Sequence, residues 1–214
     1  MLFRSFMLVA LWVWTISSPT FAQTEASSPA QEIDRWGSVP IVDEEPYYLL
    51  PRGYSMKASF EQNRPGVYVI GFYRDGRNAS DWKELISVTA FQGIPRKAGP
   101  PALLVRDFLA SNIKASCPND FFYEPIEKGT ELRAGAIMGC RNLTVPNFNS
   151  RYGYFLFVQG TKSMFVFARE SRQQSVENEL PVPRSTIVEW QSDIDKSTIC
   201  KRGEMCVQFG QGPK

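Results

Sequence analysis

Apolar and polar positions along the chain predict a series of strands from about Met56 onward. Residues 67–73 are apolar at every position except Gly71, a pattern typical of a strand buried on both faces. Residues 74–78 then have the composition of a turn, and residues 86–90 alternate between apolar and polar side chains. Such alternation predicts a strand with one buried face.

Two segments have helical periodicity instead. The first follows the tandem prolines at 100–101, and its apolar side chains recur at a spacing that predicts a single stripe against a sheet. The stripe consists of Leu104, Val105, Phe108, Leu109 and Ile113. The second segment runs from about 185 to 196 and places Ile187, Trp190, Gln191 and Ile194 on one side. Each helix is therefore expected to cover a sheet.

Further strands are predicted at residues 121–126 and 132–138, followed by a hairpin of residues 152–159 and 162–170. Gly160-Thr161 lies between the arms of this hairpin, and glycine at the first central position suits a type II′ turn. The order of strands, helix, strands and helix predicts an α+β fold, in which two helices cover a mainly antiparallel sheet.

The first 22 residues have the features of a cleavable secretory signal. Arg4 precedes an apolar run at residues 6–14, and small residues lead to a cleavage site after Ala22. The run is shorter than the roughly 20 apolar residues that a membrane-spanning helix needs, which disfavours a transmembrane anchor. We therefore expect export to the periplasm or beyond the cell, with no transmembrane segment in the mature chain.

The chain after the signal is expected to form one domain. Residues 23–55 are predicted to be a flexible leader and an extended arm, because they combine small and polar residues with scattered prolines. Residues 56–198 form the predicted α+β domain, and residues 199–214 form a C-terminal disulfide loop and tail.

Composition excludes several functional classes. Lysine and arginine number 24 against 22 aspartate and glutamate residues, whereas proteins that bind nucleic acid concentrate positive charge. The chain has no histidine, which excludes Ser-His-Asp and Cys-His catalysis and histidine-bearing zinc sites. Neither nucleic acid nor a cofactor is an expected partner.

Four cysteines, Cys117, Cys140, Cys200 and Cys206, are an even number in a chain expected to be exported. Two structural disulfides are therefore predicted, and three pairings are formally available. Pairing of nearest neighbours, 117 with 140 and 200 with 206, is the simplest. A four-thiolate zinc site or a thiol oxidoreductase would need closer cysteine pairs than these.

The segments together resemble a group of uncharacterised bacterial exported proteins and, more distantly, the Mog1/PsbP-like sandwiches, which include DcrB-type envelope proteins. The resemblance rests on a tryptophan-led strand at 81–88, a helix that ends in Cys117-Pro118, Cys140 farther on, and a late strand at 163–169 before Trp190 and Cys200. It implies an α/β sandwich and a bacterial envelope location. It carries over no catalytic residue.

Two kinds of candidate site follow from the residues. Without histidine, hydrolysis would need a carboxylate pair, and the candidates are Asp75, Asp81, Glu84, Glu124, Glu127 and Glu131. Aromatic residues crowd the predicted hairpin and would either line a binding cleft or fill the core. These are Tyr152, Tyr154, Phe155, Phe157, Phe165 and Phe167.

The sequence thus favours a periplasmic, non-enzymatic protein that binds a partner, with another envelope protein as the expected partner, or that supports an envelope assembly. Two alternatives stay open. One is a sandwich module that binds a small molecule or a lipid, and the other is a histidine-free, carboxylate-dependent hydrolase.

Overall fold

The computed structural model describes residues 35–41, 43–94, 102–130, 132–141, 143, 150–173 and 182–202, with the backbone alone at 127–130. The described part of the chain contains ten strands and two helices. The strands are β1 (Arg35–Ser38), β2 (Glu44–Leu50), β3 (Phe60–Arg64), β4 (Val67–Tyr73), β5 (Glu84–Gln92), β6 (Phe121–Thr130), β7 (Arg133–Cys140), β8 (Ser150–Gln159), β9 (Ser163–Gln173) and β10 (Thr198–Lys201). The helices are α1 (Ala102–Ser116) and α2 (Arg184–Ile194).

The strands form two antiparallel sheets. The larger sheet has the order β3-β4-β5-β9-β8-β7-β6, and the smaller has the order β1-β2-β10. Every strand pair in the two sheets is antiparallel. The predicted α+β class, with a mainly antiparallel sheet and two helices, is therefore confirmed.

Successive side chains of the large sheet point to opposite faces, and each face carries one hydrophobic core. The first core joins β4, β5, β8 and β9 to α2 and to the small sheet, and includes Phe72, Val88, Phe167, Tyr48 and Trp190. The second core joins β7, β8 and β9 to α1, and includes Met138, Phe157 and Ile113. The two helices consequently lie on opposite faces of the large sheet.

Several local predictions agree with these elements. The strand at Val67–Tyr73 is buried at all seven positions, as its unbroken apolar run predicts. In α2, Ile187, Trp190 and Ile194 are buried. Strand β5 differs from expectation, because Ser87 on its polar side is buried as well. This strand lies in the interior of the sheet, between β4 and β9.

The predicted apolar stripe of α1 is confirmed for Val105, Leu109 and Ile113, which lie in or against the second core, and is wrong for Leu104 and Phe108. Leu104 and Phe108 are 57% and 39% exposed, whereas Ala102, Arg106 and Ala110 are buried together with Ile113. The helix packs against β7, whose Ala134 and Ala136 are also buried. Small residues on both elements allow close approach of the two backbones. Leu104 and Phe108 lie on the outer side of the helix.

The predicted type II′ turn at Gly160-Thr161 is also wrong, by one residue. Gln159 pairs with Met164, and the Gly160 N–H donates to the carbonyl of Ser163. The central residues of the turn are therefore Thr161 and Lys162. The first central position of a type II′ turn requires a positive φ, and the φ of Gly160 is not positive.

The disulfide between Cys117 and Cys140 is confirmed and ties the end of α1 to the last residue of β7. Cys200, in β10, is disulfide-bonded as well, whereas Cys206 lies outside the described residues. The predicted signal, its cleavage site and the leader up to residue 34 also lie outside them. Among the helices that are described, none has the length and apolar character needed to cross a membrane.

Candidate functional site

A cleft opens between the small sheet and the β3–β4 edge of the large sheet. Its volume is about 620 Å³, within the range of roughly 300 to 1,000 Å³ that is usual for small-molecule sites. The described residues that line it are Ser38, Val39, Pro40, Ile41, Tyr48, Met56, Glu61, Asn63, Tyr68, Ile70, Phe72 and Gln92.

Strand register explains the composition of the cleft floor. Side chains of a strand alternate between faces, and directly paired residues of an antiparallel pair share a face. Glu61 pairs with Ile70, and Asn63 pairs with Tyr68. Phe72 continues the same face of β4. Polar side chains of the edge strand β3 therefore stand beside an apolar and aromatic row on β4.

The opposite wall is built from the chain around β1 and β2. Residues 38–41, the last residue of β1 and the three that follow it, line this wall. Tyr48 of β2 reaches Phe72, with 5.4 Å between the ring centroids. The Tyr48 ring lies against Gly37, where an added Cβ would come within 2.6 Å of it. Only a glycine at 37 leaves the space in which this ring stands.

Glu61 is the one charged side chain among the described residues that line the cleft. The Tyr68 hydroxyl donates a hydrogen bond to its carboxylate, and burial together with this bond raises the pKa of Tyr68. Burial also raises the pKa of Tyr48 to about 12. Both phenols are therefore neutral hydroxyl groups at physiological pH, and the charge that the described residues contribute to the cleft is that of Glu61.

A buried carboxylate holds the small sheet against the large one. Glu44, at the start of β2, is 2% exposed and accepts hydrogen bonds from the Thr161 N–H at 2.5 Å and the Thr161 hydroxyl at 2.9 Å. Its neighbour Asp43 forms an ion pair with Lys162. The tip of the β8–β9 hairpin thus anchors the segment that carries the wall of the cleft.

A second polar cluster surrounds Arg169, which projects from β9 toward α2. Its guanidinium lies 2.8 Å from Asp193, 3.4 Å from Glu84 and 3.4 Å from Glu189. It also lies over the ring of Trp190 at 5.6 Å. Desolvation raises the pKa of Asp193 despite the adjacent arginine. This network connects α2 to the sheet.

The third cluster surrounds Trp82 on the opposite face. Arg172 and Arg151 lie over its indole ring at 4.4 and 5.5 Å, and Tyr73 stacks beside it. Glu170 accepts a hydrogen bond from Arg151 at 2.7 Å. The two arginines hold Trp82, which belongs to the loop that precedes β5, against the sheet.

The candidate carboxylates for hydrolysis do not share one place in the structure. Asp75 and Asp81 are exposed and form ion pairs with Arg74 and Arg77, and Glu124, at the far edge of the sheet, pairs with Arg184. Glu84 also pairs with Arg74, at 2.7 Å, and joins the Arg169 cluster. The Glu127 side chain and Glu131 lie outside the described residues.

Among the described residues, no group of three or more acidic or cysteine side chains is arranged to hold a metal ion.

The six hairpin aromatics are all buried, and the structure divides them between faces. Tyr154, Phe165 and Phe167 lie in the first core, while Phe155 and Phe157 lie in the second. Tyr152 contacts Phe122, with 5.8 Å between ring centroids. None of the six is among the residues that line the cleft.

Pattern reasoning missed the residues that do line the cleft. Tyr68 and Phe72 belong to a strand whose unbroken apolar pattern predicts only burial, and Glu61 lies in a segment without a strong strand signal. The one usable signal is the pair Tyr47-Tyr48, which places aromatic side chains in a segment otherwise expected to be an extended arm.

Comparison with known proteins adds no family to these observations: no protein-family model and no curated sequence matches the chain.

Proposed function

We propose that this protein is a non-enzymatic binding protein of the bacterial envelope that holds a small molecule in its cleft. The observation that carries the proposal is the cleft itself, a volume of about 620 Å³ with an apolar floor and polar groups at its rim. Apolar walls supply affinity in such sites, while a few polar groups orient the ligand.

The proposed compartment and fold family have their own support. A disulfide such as Cys117–Cys140 persists in oxidising compartments and is rare in the cytosol. An antiparallel sheet with helices on both faces agrees with the proposed relation to Mog1/PsbP-like sandwiches.

Binding is a better account of the cleft than hydrolysis. A glycosidase-type mechanism needs two carboxylates facing the same substrate, and Glu61 is the single carboxylate among the described residues of the cleft. The Arg169 cluster does contain three carboxylates, but each forms an ion pair with this buried arginine, and Glu84 also pairs with Arg74 at 2.7 Å. Such pairing suits a structural ion network.

Native mass spectrometry of the exported protein provides the test. The wild-type protein, purified without denaturation, is expected to show a mass in excess of the polypeptide that is lost on collisional activation. The variant Asn63→Trp should lack this excess, because Asn63 lies exposed at the rim and the indole would fill the opening.

The matched control is Gln62→Trp, which adds the same side chain to the opposite face of the same strand. It should retain the bound mass. A wild-type spectrum that contains only the bare polypeptide, or equal ligand loss in both variants, would contradict the proposal.

Binding of another envelope protein is a second candidate function. It is favoured by the exposed side chains of Leu104 and Phe108, which lie about one turn apart on the outer side of α1. Exposed apolar groups on a helix surface are a common feature of protein interfaces.

Crosslinking in intact cells followed by affinity purification tests this candidate. The double variant Leu104→Ser with Phe108→Ser should lose a crosslinked partner that the wild-type protein retains. The substitution Lys114→Ser, at another exposed position of the same helix, is the control. Identical crosslinking patterns for the wild type and the apolar variant would exclude this face as the interface.

A further inference from the structure

The small sheet carries apolar side chains on the face that points away from the large sheet. Tyr48 and Leu50 of β2 lie in the first core, so the alternate residues Tyr47 and Leu49 point to the opposite side. Trp36 of β1 pairs with Leu49 and shares that side. Trp36 is 37% exposed, whereas Leu49 is only 5% exposed. Trp36, Tyr47 and Leu49 are called the outer surface below.

A disulfide-bonded cysteine stands on the same side of the small sheet. Ile199 of β10 packs against the first core, so its neighbour Cys200 points outward. Cys200 is disulfide-bonded, and Cys117 and Cys140 are bonded to each other. The fourth cysteine of the chain is Cys206, which is therefore the partner that the chain offers to Cys200.

This tether sets the direction of the chain that follows. Up to Arg202, whose N–H donates to the Asp43 carbonyl, the chain runs antiparallel to β2. Cys206 can return to Cys200 only if the chain reverses after Arg202, because six extended residues would separate the two sulfur atoms too far for a bond. A segment that continues in the reversed direction runs along β2 toward Leu49.

The segment after Cys206 is long enough to reach the outer surface. A disulfide joins residues whose Cα atoms are about 4.4 to 6.8 Å apart, and the three residues that lead to Phe209 extend up to about 10 Å. Strand spacing of about 4.8 Å and a rise of about 3.4 Å per residue place Tyr47 about 8 Å and Leu49 about 14 Å from Cys200. Phe209 can therefore contact both side chains.

We infer that the segment after Cys206 lies over the outer surface, with Phe209 packed against Trp36, Tyr47 and Leu49. Phe209 is the one aromatic residue of the sequence 203–214, and burial of an aromatic ring gives such a segment its largest hydrophobic gain. The tether favours docking because it holds Phe209 near its contacts at high effective concentration. The disulfide thus keeps this apolar surface covered and closed to partner proteins.

Acrylamide quenching of tryptophan fluorescence in the exported protein tests the inference. The chain after the predicted signal contains Trp36, Trp82 and Trp190, and the last two are only 7% and 2% exposed. Phe209→Ser should increase the quenching of Trp36 and shift its emission to longer wavelength. The matched control is Gln208→Ser, which changes the adjacent polar residue and should behave like the wild type.

Two further variants separate docking from general unfolding. The double variant Cys200→Ser with Cys206→Ser removes the tether and should increase the quenching of Trp36 as Phe209→Ser does. In a Trp36→Phe background, Phe209→Ser should leave the remaining quenching unchanged, because the other two tryptophans lie in the interior. Equal quenching in the wild type and Phe209→Ser overturns the inference, and so does a change of equal size in the Trp36→Phe background.

Tryptic digestion without reduction checks the tether itself. Cleavage after Lys196, Lys201 and Arg202 should yield residues 197–201 and 203–214 as one disulfide-linked pair of peptides. Recovery of the peptide 203–214 with a free thiol would overturn the inference, since Phe209 would then have no tether to the small sheet.

Discussion

Single residues set the contact between the two sheets. Gly160 stands beside the Glu44 carboxylate, and a Cβ at this position would lie 2.2 Å from one carboxylate oxygen. Space, rather than a positive φ, is therefore the reason for a glycine here. The backbone N–H groups of Thr161 and Lys162 complete the site in which the carboxylate is held.

Gly160→Ala should destabilise the protein by about 2 kcal/mol or more, because the methyl group displaces a buried carboxylate from its donors. In a Glu44→Ala background the same substitution should cost much less, since the carboxylate is gone. Urea unfolding of the four proteins measures this double-mutant cycle. Equal costs of Gly160→Ala in both backgrounds would refute the steric explanation.

At the scale of elements, periodicity located the helices and strands more reliably than it oriented them. The apolar stripe of α1 has helical spacing, and its Val105, Leu109 and Ile113 pack in or against the second core, but Leu104 and Phe108 face solvent. The hairpin of β8 and β9 forms as predicted, with its turn shifted to Thr161-Lys162. In both cases, contacts with a distant segment decided the detail.

The candidate site likewise combines features that the sequence predicts with features that depend on tertiary packing. Its floor uses one face of β4, whose burial the sequence predicts, but its charge comes from β3 and its wall from the segment at 38–41. Pairing of β3 with β4 and docking of the small sheet bring these parts together. Neither event leaves a periodic signal in the sequence.

At the scale of the whole molecule, buried phenols make the stability of the fold depend on pH in the alkaline range. Burial raises the pKa of Tyr48 from 10.0 to about 12 and raises that of Tyr54 and Tyr154 as well. A phenol whose folded pKa exceeds its unfolded value contributes stability below pH 10. That stability is lost as the pH rises from 10 toward 12.

The free energy of unfolding of the wild-type protein should therefore fall across this pH range. In Tyr48→Phe it should fall less steeply, because one titrating group has been removed while the ring that contacts Phe72 remains. Urea unfolding at pH values from 8 to about 11.5 measures the two slopes. Parallel curves for the two proteins would show that Tyr48 does not titrate with unfolding.

The sequence by itself determined the fold class, most of the strands and both helices, because local propensity and periodic burial leave a signal in consecutive residues. It also favoured the pairing of Cys117 with Cys140. Only the tertiary structure decided that Leu104 and Phe108 of the α1 stripe are exposed, that β1, β2 and β10 form a sheet of their own, and that Glu61 meets Tyr48 and Tyr68 in one cleft. The physical reason is that these features depend on packing between segments far apart in the chain, and such packing is set by shape and space that no local pattern encodes.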